Sequence, residues 1–421
     1  MKHTTSRPRK IMIVGAGQAG LQLALALQRR GDDVTVVSNR SAQDIRSGRV
    51  MSSQCMFDAS LQIERALGLN LWDEACPPVE GIALAIPNPG EPAAKLLDWG
   101  HRLDHPAQSV DQRMKIPAWM ALFEERGGTV LWMEAGTSEL ERWAVEYELV
   151  VVAAGKGDIA GLFERDAEKS PFIAPQRALA LTYVHGMAPR PEYSAVSFNL
   201  IPGVGEYFVF PALTHTGPCD IMVFEGVPGG PMDCWADVQS PEDHLAKSKW
   251  ILETFLPWEA RRCDAVCLTD DNGRLVGRFA PTVRHPVGRL PSGAQVLGMG
   301  DVVCLNDPIT GQGANNASKC AHAYYEAIVA QGDAPFDTEF MQRAFDDFWA
   351  YAEHVVNWTN ALLQPPPAHV LEVLGAAGSA PSVAKRFVNG FNDPRDYDEL
   401  RHAVHRLVGA ATAVTHTAGD H

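Results

Sequence analysis

No run of apolar residues in this chain of 421 approaches the roughly 18 that a membrane-spanning helix needs. No secretory leader is expected either. Met1–Lys10 is basic, but the apolar run behind it, Ile11–Val14, is too short for a signal core and leads directly into glycines. Positive charge is in deficit: 36 Lys and Arg stand against 51 Asp and Glu, a net charge of -15. That balance argues against nucleic acid and anionic membrane surfaces as partners. Cysteine is sparse and scattered. Of the eight, Cys263 and Cys267 form a close pair, but no histidine stands at ligand spacing beside it. The expectation is free thiols in a reducing cytoplasm and no metal centre. No Ser/His/Asp set for nucleophilic catalysis stands out.

What is present begins at Val14-Gly15-Ala16-Gly17-Gln18-Ala19-Gly20. Ile11–Val14 before it reads as a strand. Leu21, Leu23, Leu25 and Leu27 after it lie in an alanine-rich helix ending near Arg30-Gly31, and Val34–Val37 reads as a second strand. A bare glycine pattern is a tight turn. Between a strand and a helix it becomes a dinucleotide fingerprint. Gly15 permits the turn, Gly17 lets the backbone approach a pyrophosphate, and Gly20 lets the helix pack closely. The helix N-terminus presents unpaired N–H groups and a positive dipole end to the phosphates.

Further along, Val110–Arg126 reads as a helix that Pro117 kinks or restarts, followed by a strand over Thr129–Met133. Pro77-Pro78 and Ile86–Gly90 mark loops. Tyr147–Ala154 has the continuous apolar texture of a buried parallel strand. Between about Pro175 and Arg284, short runs such as Leu179–Val184, Tyr207–Phe210 and Ile221–Phe224 are separated by Gly/Pro turns, which suggests an antiparallel sheet. Gln295–Gly298 returns to a core strand. Phe340–Trp358 reads as one long helix, with a break at Pro365–Pro367.

A second motif lies far downstream. Gly300-Asp301 follows the Gln295 strand, and Asn306-Asp307-Pro308-Ile309-Thr310-Gly311-Gln312-Gly313-Ala314-Asn315-Asn316 follows that. A carboxylate at Asp301 can accept hydrogen bonds from sugar-like hydroxyls. Gly311 and Gly313 let a loop lie flat against something planar. A helix starting near Ala314 aims its N-terminus at that loop and stabilises negative charge on a reduced flavin or bound anion. The alternative is an ordinary strand-to-helix connection. A nicotinamide domain has no need of this second element, so the pair points to FAD.

These two motifs resemble the FAD-dependent aromatic hydroxylase fold. Within it, the chain is similar along nearly its whole length to the two-component styrene and indole monooxygenases. Val110-Asp111-x-Arg113, Leu149–Val152 with Gly155-Lys156, Ser170-Pro171-Phe172, Pro175–Leu179 and Trp358-Thr359-Asn360 carry that resemblance. It implies an α/β architecture with a Rossmann-like FAD-binding domain (residues 1–75, 106–170 and 285–335). A substrate domain on an antiparallel sheet (76–105 and 171–284) and a helical C-terminal region (336–421) complete it. The FAD-binding residues so implied are Gly15, Gly17, Gln18, Ala19, Gly20, Asn39, Arg40, Arg49, Arg113, Gly155, Gly300, Asp301, Gly311, Gln312, Gly313, Ala314 and Asn315. Asn315, Pro308 and Gly311 are expected to position the flavin. Val50, Met51, Pro308 and Ile309 beside Ser52 and Gln54 would form an apolar pocket.

The resemblance extends to substrate choice. Styrene-type members carry Asn, Val and His where this chain has Ser52, Gln54 and Met56, a Tyr and His where it has Val79 and Ile82, and a Ser at Ala107. That set resembles the indole-oxidising branch. The side-chain oxygen of Gln54 can accept a hydrogen bond from an indole N–H, and Met56 gives an adaptable wall; the alternative is that these residues only pack a loop. Two departures matter. Ser38-Asn39-Arg40 ends strand two without the acidic residue that holds an adenosine ribose, leaving Asn39 as a weaker acceptor and Arg40 to face phosphate. Ala153-Ala154-Gly155-Lys156-Gly157 lacks the Asp-Gly pair associated with nicotinamide use in single-chain hydroxylases. The resemblance therefore implies FAD reduced by a separate NADH-dependent flavin reductase, O2 as co-substrate, and oxygen transfer to the C=C bond of a small aromatic substrate, indole before styrene. A self-contained NAD(P)H-dependent hydroxylase and a binding protein without redox chemistry stay as alternatives, and a homodimer is left open.

Overall fold

Ile11–Val14 is apolar at every position because both of its faces are covered. It belongs to the strand Lys10–Val14, inside a six-stranded sheet ordered Val287–Arg289, Gln295–Gly298, Leu149–Val152, Lys10–Val14, Asp33–Ser38, Thr129–Trp132. The computed structural model describes residues 7–154 and 158–397, with 399, 400, 402 and 404 beyond them. Neighbours in this sheet are parallel except at the Val287 edge, and Ile11 lies beside both Val34 and Leu149. The helices Gln18–Arg30 and Gly313–Gln331 pack against each other, with Gln22 Nε2 donating across to Ser318 O at 2.9 Å. The helix Gln112–Glu125 runs unbroken through Pro117 rather than restarting there. Only the Arg113 carbonyl loses its helical donor to the proline ring.

The second sheet has eight strands, and alternation along them shows why their runs are apolar throughout. Phe208 and Phe210 face one cluster, with Ile221 and Val223; Tyr207 and Val209 face another, with Met222 and Phe224. The helix Pro241–Phe255 supplies Ile251 and Leu252 to the latter. The C-terminal helices Ala368–Ser379 and Pro381–Asn389 cover the other face, where Trp99 meets Phe387 edge-on with centroids 5.5 Å apart.

One expectation is corrected here. Pro78 and Ile86–Asn88 do not lie in loops; only Pro89-Gly90 of the second segment is a turn. Pro78–Asn88 is a strand of this sheet, and it pairs with Glu91–Gln108 across a turn at Pro89-Gly90. Pro78 opens the strand and Pro87 sits at a register shift, the two places where a residue without an N–H interrupts no ladder. The long helix Thr338–Leu362 ends where Pro365–Pro367 was expected to break it. No helix among the described residues is long and apolar enough to cross a membrane.

Candidate functional site

The glycine fingerprint does two different jobs. Gly15 has φ of +119°, and a Cβ there would lie 2.7 Å from Ala154 N; a Cβ on Gly20 would lie 2.0 Å from the Gly15 carbonyl oxygen. These two glycines are required by the chain itself. At Gly17, by contrast, a Cβ meets no atom of the described residues within 4 Å. Gly17 is the N-cap of Gln18–Arg30, with no side-chain cap and no acid in the first turn. The first helical bond is Leu21 N–H to Gly17 O at 2.9 Å, so the preceding N–H groups are left for another acceptor.

The downstream motif repeats this arrangement. Asp307 caps the turn Pro308–Thr310 through Ile309 N–H at 3.2 Å, and Gly311 closes that turn in the left-handed region at φ +63°. The helix Gly313–Gln331 then begins, again with neither a side-chain cap nor a first-turn acid. Among the described residues, nothing lies within 4 Å of a Cβ built on Gly311 or Gly313. Gln18 Nε2 reaches Ala314 O at 3.4 Å, so the two uncapped helix ends stand side by side. Gly300, φ +62°, packs beside Ala19 between them. Two adjacent positive helix ends with open space at their glycines fit a flavin dinucleotide, whose charge lies on its pyrophosphate and reduced ring.

Asn315 is a fastener. Its side chain, 1% exposed, accepts from Phe57 N–H (2.9 Å) and donates to Cys55 O (2.8 Å) and Gly311 O (3.1 Å). It therefore holds the Gly311 turn against the segment carrying Met56, whose sulfur lies 3.2 Å from Gln18 Nε2. Of the residues expected at the substrate, Val50, Val79, Ile82 and Ala107 come together in one apolar cluster beneath the second sheet, with Tyr183. Gln54 is buried beside them; its Oε1 is 2.7 Å from Ser52 Oγ and its Nε2 is 3.2 Å from Tyr183 Oη. Ile309 is buried, Pro308 half-buried, and Met51 packs toward the first sheet, its sulfur 3.0 Å from Arg40 Nη2. Asn39, Arg40 and Arg49 are exposed, as is Asp301. Gly155 lies outside the described residues.

Arg113 was expected to touch the cofactor, but its guanidinium is engaged within the protein. It makes a two-pronged bond to Asp270 (2.9 and 3.0 Å), meets Asp111 at 2.9 Å, and reaches Gly48 O and Thr214 Oγ1. Asn272 O accepts from Val50 N–H at 3.0 Å. The loop leading into Ser52 is thus pinned to the Asp270–Asn272 turn. Burial works against the Arg113 charge, yet the hydrogen bonds to Asp270 and Asp111 outweigh it and raise its pKa.

The sequence reading missed a carboxyl pair directly behind the flavin loop. Glu225 is fully buried on the strand Gly217–Gly226, and its carboxyl bonds to that of Asp307. Glu206 lies nearby, neutralised by Arg177 at 2.6 and 2.9 Å. Burial, then the charge of Asp307, pushes Glu225 well above the usual carboxylate range, so it keeps a proton and donates it to Asp307. A raised acid stabilises the fold below its unfolded pKa and loses that contribution as pH rises through the folded value. Glu225→Gln mimics the protonated form. It is expected to raise stability at alkaline pH relative to the parent and to flatten the decline above about pH 5, read by denaturant unfolding across pH.

Comparisons with known proteins agree with this geometry. A family described as "Styrene monooxygenase A putative substrate binding domain" matches residues 155–262, and one described as "Pyridine nucleotide-disulphide oxidoreductase" matches residues 10–44. Styrene monooxygenase StyA of Pseudomonas fluorescens is 31% identical over 401 residues, 93% of this chain and 95% of that protein. Among solved structures, a flavoprotein/dehydrogenase from Cytophaga hutchinsonii superposes with a TM-score of 0.67 at 12% identity, covering 95% of this chain and 99% of its own. The flavin-dependent brominase Bmp2 gives 0.60 at 14% identity, covering 94% and 93%. The fold is that of FAD-dependent aromatic hydroxylases and halogenases, with a Rossmann-type sheet, a second sheet domain and a helical C-terminal region. By its sequence match over nearly the whole of both chains, the protein belongs to the styrene monooxygenase StyA family of FAD-dependent monooxygenases.

Proposed function

We propose that this chain is the oxygenase component of a two-component system that epoxidises the C2=C3 bond of indole. Reduced FAD, when bound, supplies two electrons to O2, so that one oxygen atom enters the ring and the other leaves as water. The observation that carries the substrate choice is Gln54, a buried amide hydrogen-bonded to Tyr183, which packs in one apolar cluster with Val50, Val79, Ile82 and Ala107. An apolar wall keeps water from the reacting centre, and one acceptor orients an N–H donor. No side-chain nucleophile is required, because the alkene itself is electron-rich. The uncapped turns at Gly17 and Gly313 receive the cofactor, and Asn315 keeps the flavin loop and the Met56 segment in register. Pro308 and Ile309 close the apolar side. The reductase belongs to this reading because the sequence Ala153-Ala154-Gly155-Lys156-Gly157 lacks the Asp-Gly pair that single-chain hydroxylases carry there.

The test is incubation with a flavin reductase, NADH, FAD and indole in air. Indole epoxide rearranges to indoxyl, which O2 in the air oxidises and couples in pairs to a blue pigment. Pigment formation with a higher kcat/KM for indole than for styrene is the expected result. Rapid styrene turnover without indole turnover establishes the second reading, which the names of the relatives favour. Fast bleaching of bound FAD by NADH without any reductase overturns the two-component assignment.

A further inference from the structure

The hydroxyl of Tyr183 joins two segments that are far apart in the chain. Tyr183 lies on the strand Ala178–His185 and is completely buried. Its Oη is 2.7 Å from the Ser52 carbonyl oxygen, which can only accept, so the single Tyr183 proton is committed there. The Tyr183 oxygen is then left as an acceptor. The Gln54 atom 3.2 Å away must therefore be the amide nitrogen, which puts Oε1 at the Ser52 hydroxyl, 2.7 Å distant. Ser52 Oγ–H occupies one lone pair of that oxygen, and the other remains available. Burial also keeps Tyr183 un-ionised at working pH, so the order of donors does not reverse. The Gln54 backbone is held as well, its carbonyl accepting from Ser109 Oγ–H.

We propose that Tyr183 is a positioning residue that fixes the Gln54 amide with its oxygen as the group offered to substrate, and so selects aromatic rings that carry an N–H beside the reacting C=C bond. This rests on the reading of Gln54 as the substrate acceptor. Without the tyrosine oxygen, the amide is free to turn and present NH2, which repels an N–H donor. Substrate discrimination by a single oriented acceptor is then lost, while the apolar contacts that bind the ring persist.

Indene is the probe, since it keeps the ring size and the reacting double bond of indole but has no N–H. The ratio of kcat/KM for indole over indene is measured with excess reductase. The parent protein is expected to favour indole by about tenfold, the worth of one oriented hydrogen bond. Tyr183→Phe is expected to bring the ratio to within about threefold of unity, with the loss falling on indole. Equal loss on both substrates assigns Tyr183 a packing role and overturns the proposal, as does an unchanged ratio. Ser52→Ala leaves Tyr183 in place and, whatever its rate, is expected to keep the preference; collapse there assigns the orientation to Ser52 instead and also overturns it. Gln54→Leu separates the two levels. If it leaves the indole preference intact, Gln54 is not the acceptor and the underlying reading fails, independent of Tyr183.

Discussion

Gly20→Ala is expected to abolish FAD binding by preventing the nucleotide fold from closing, whereas Gly17→Ala is expected to weaken FAD binding and leave the fold closed. A methyl on Gly20 would sit 2.0 Å from the Gly15 carbonyl oxygen, and Gly15 cannot retreat because its N–H donates to Val37 O at 2.9 Å. Backbone on backbone at that distance forces helix and strand apart, a loss of about 3 kcal/mol or more. At Gly17 the same methyl enters space that the described residues leave empty. The apo-protein then loses about 1 kcal/mol or less, the difference between glycine and alanine at an N-cap. The methyl instead meets the pyrophosphate, and FAD affinity falls on the order of 100-fold, about 2.7 kcal/mol. Thermal unfolding of apo-protein beside fluorescence titration with FAD distinguishes the two variants. A Gly17→Ala protein that binds FAD normally would remove the fingerprint from the cofactor site.

Arg113→Met is expected to cost several kcal/mol of stability. Asp111 is fully buried and Asp270 partly so, and both lose the guanidinium that pairs with them. Breaking a buried pair from one side costs about 3–5 kcal/mol. Arg113→Lys recovers only part of this, since an ammonium cannot reproduce the fork that grips Asp270 at two points. The loss carries a pH signature. Burial opposes ionisation of Asp270, but the hydrogen bond from Arg113 prevails and holds its carboxyl below the usual range. Its stabilisation is therefore fully present above the unfolded aspartate pKa of about 3.9 and disappears as pH falls through the lower, folded value. The stability gap between parent and Arg113→Met should narrow in acid. Because Arg113 also reaches Gly48 O, the variant should raise the KM for substrate through the loop leading to Ser52. Equal stability of parent and variant at neutral pH would count against the network.

Features written in neighbouring residues were legible before the structure. The two glycine motifs, the Ile11–Val14 and Gln295–Gly298 strands and the long helix from Thr338 depend on local pattern, and each lies where the pattern puts it. Pro78–Asn88 was missed because proline reads as a breaker, and only pairing partners reveal that Pro87 falls at a register shift. The buried network was illegible for a related reason. Tyr183 meets Ser52 across 131 residues and Arg113 meets Asp270 across 157, so no window of sequence contains both partners. Glu225 follows an apolar run and looks like an exposed strand end; only its burial against Asp307 discloses the shared proton.

The strand Gln295–Gly298 completes a sheet whose first strand starts at Lys10. During synthesis, Leu149–Val152 therefore leaves the ribosome with one edge bare, and stays so until its partner is made. At roughly 5–20 residues per second that interval is on the order of 10 s, with an apolar parallel edge open to other chains throughout. The turns at Gly17 and Gly313 are likewise separated along the chain, so a ligand that spans both can report only on a chain that has already closed.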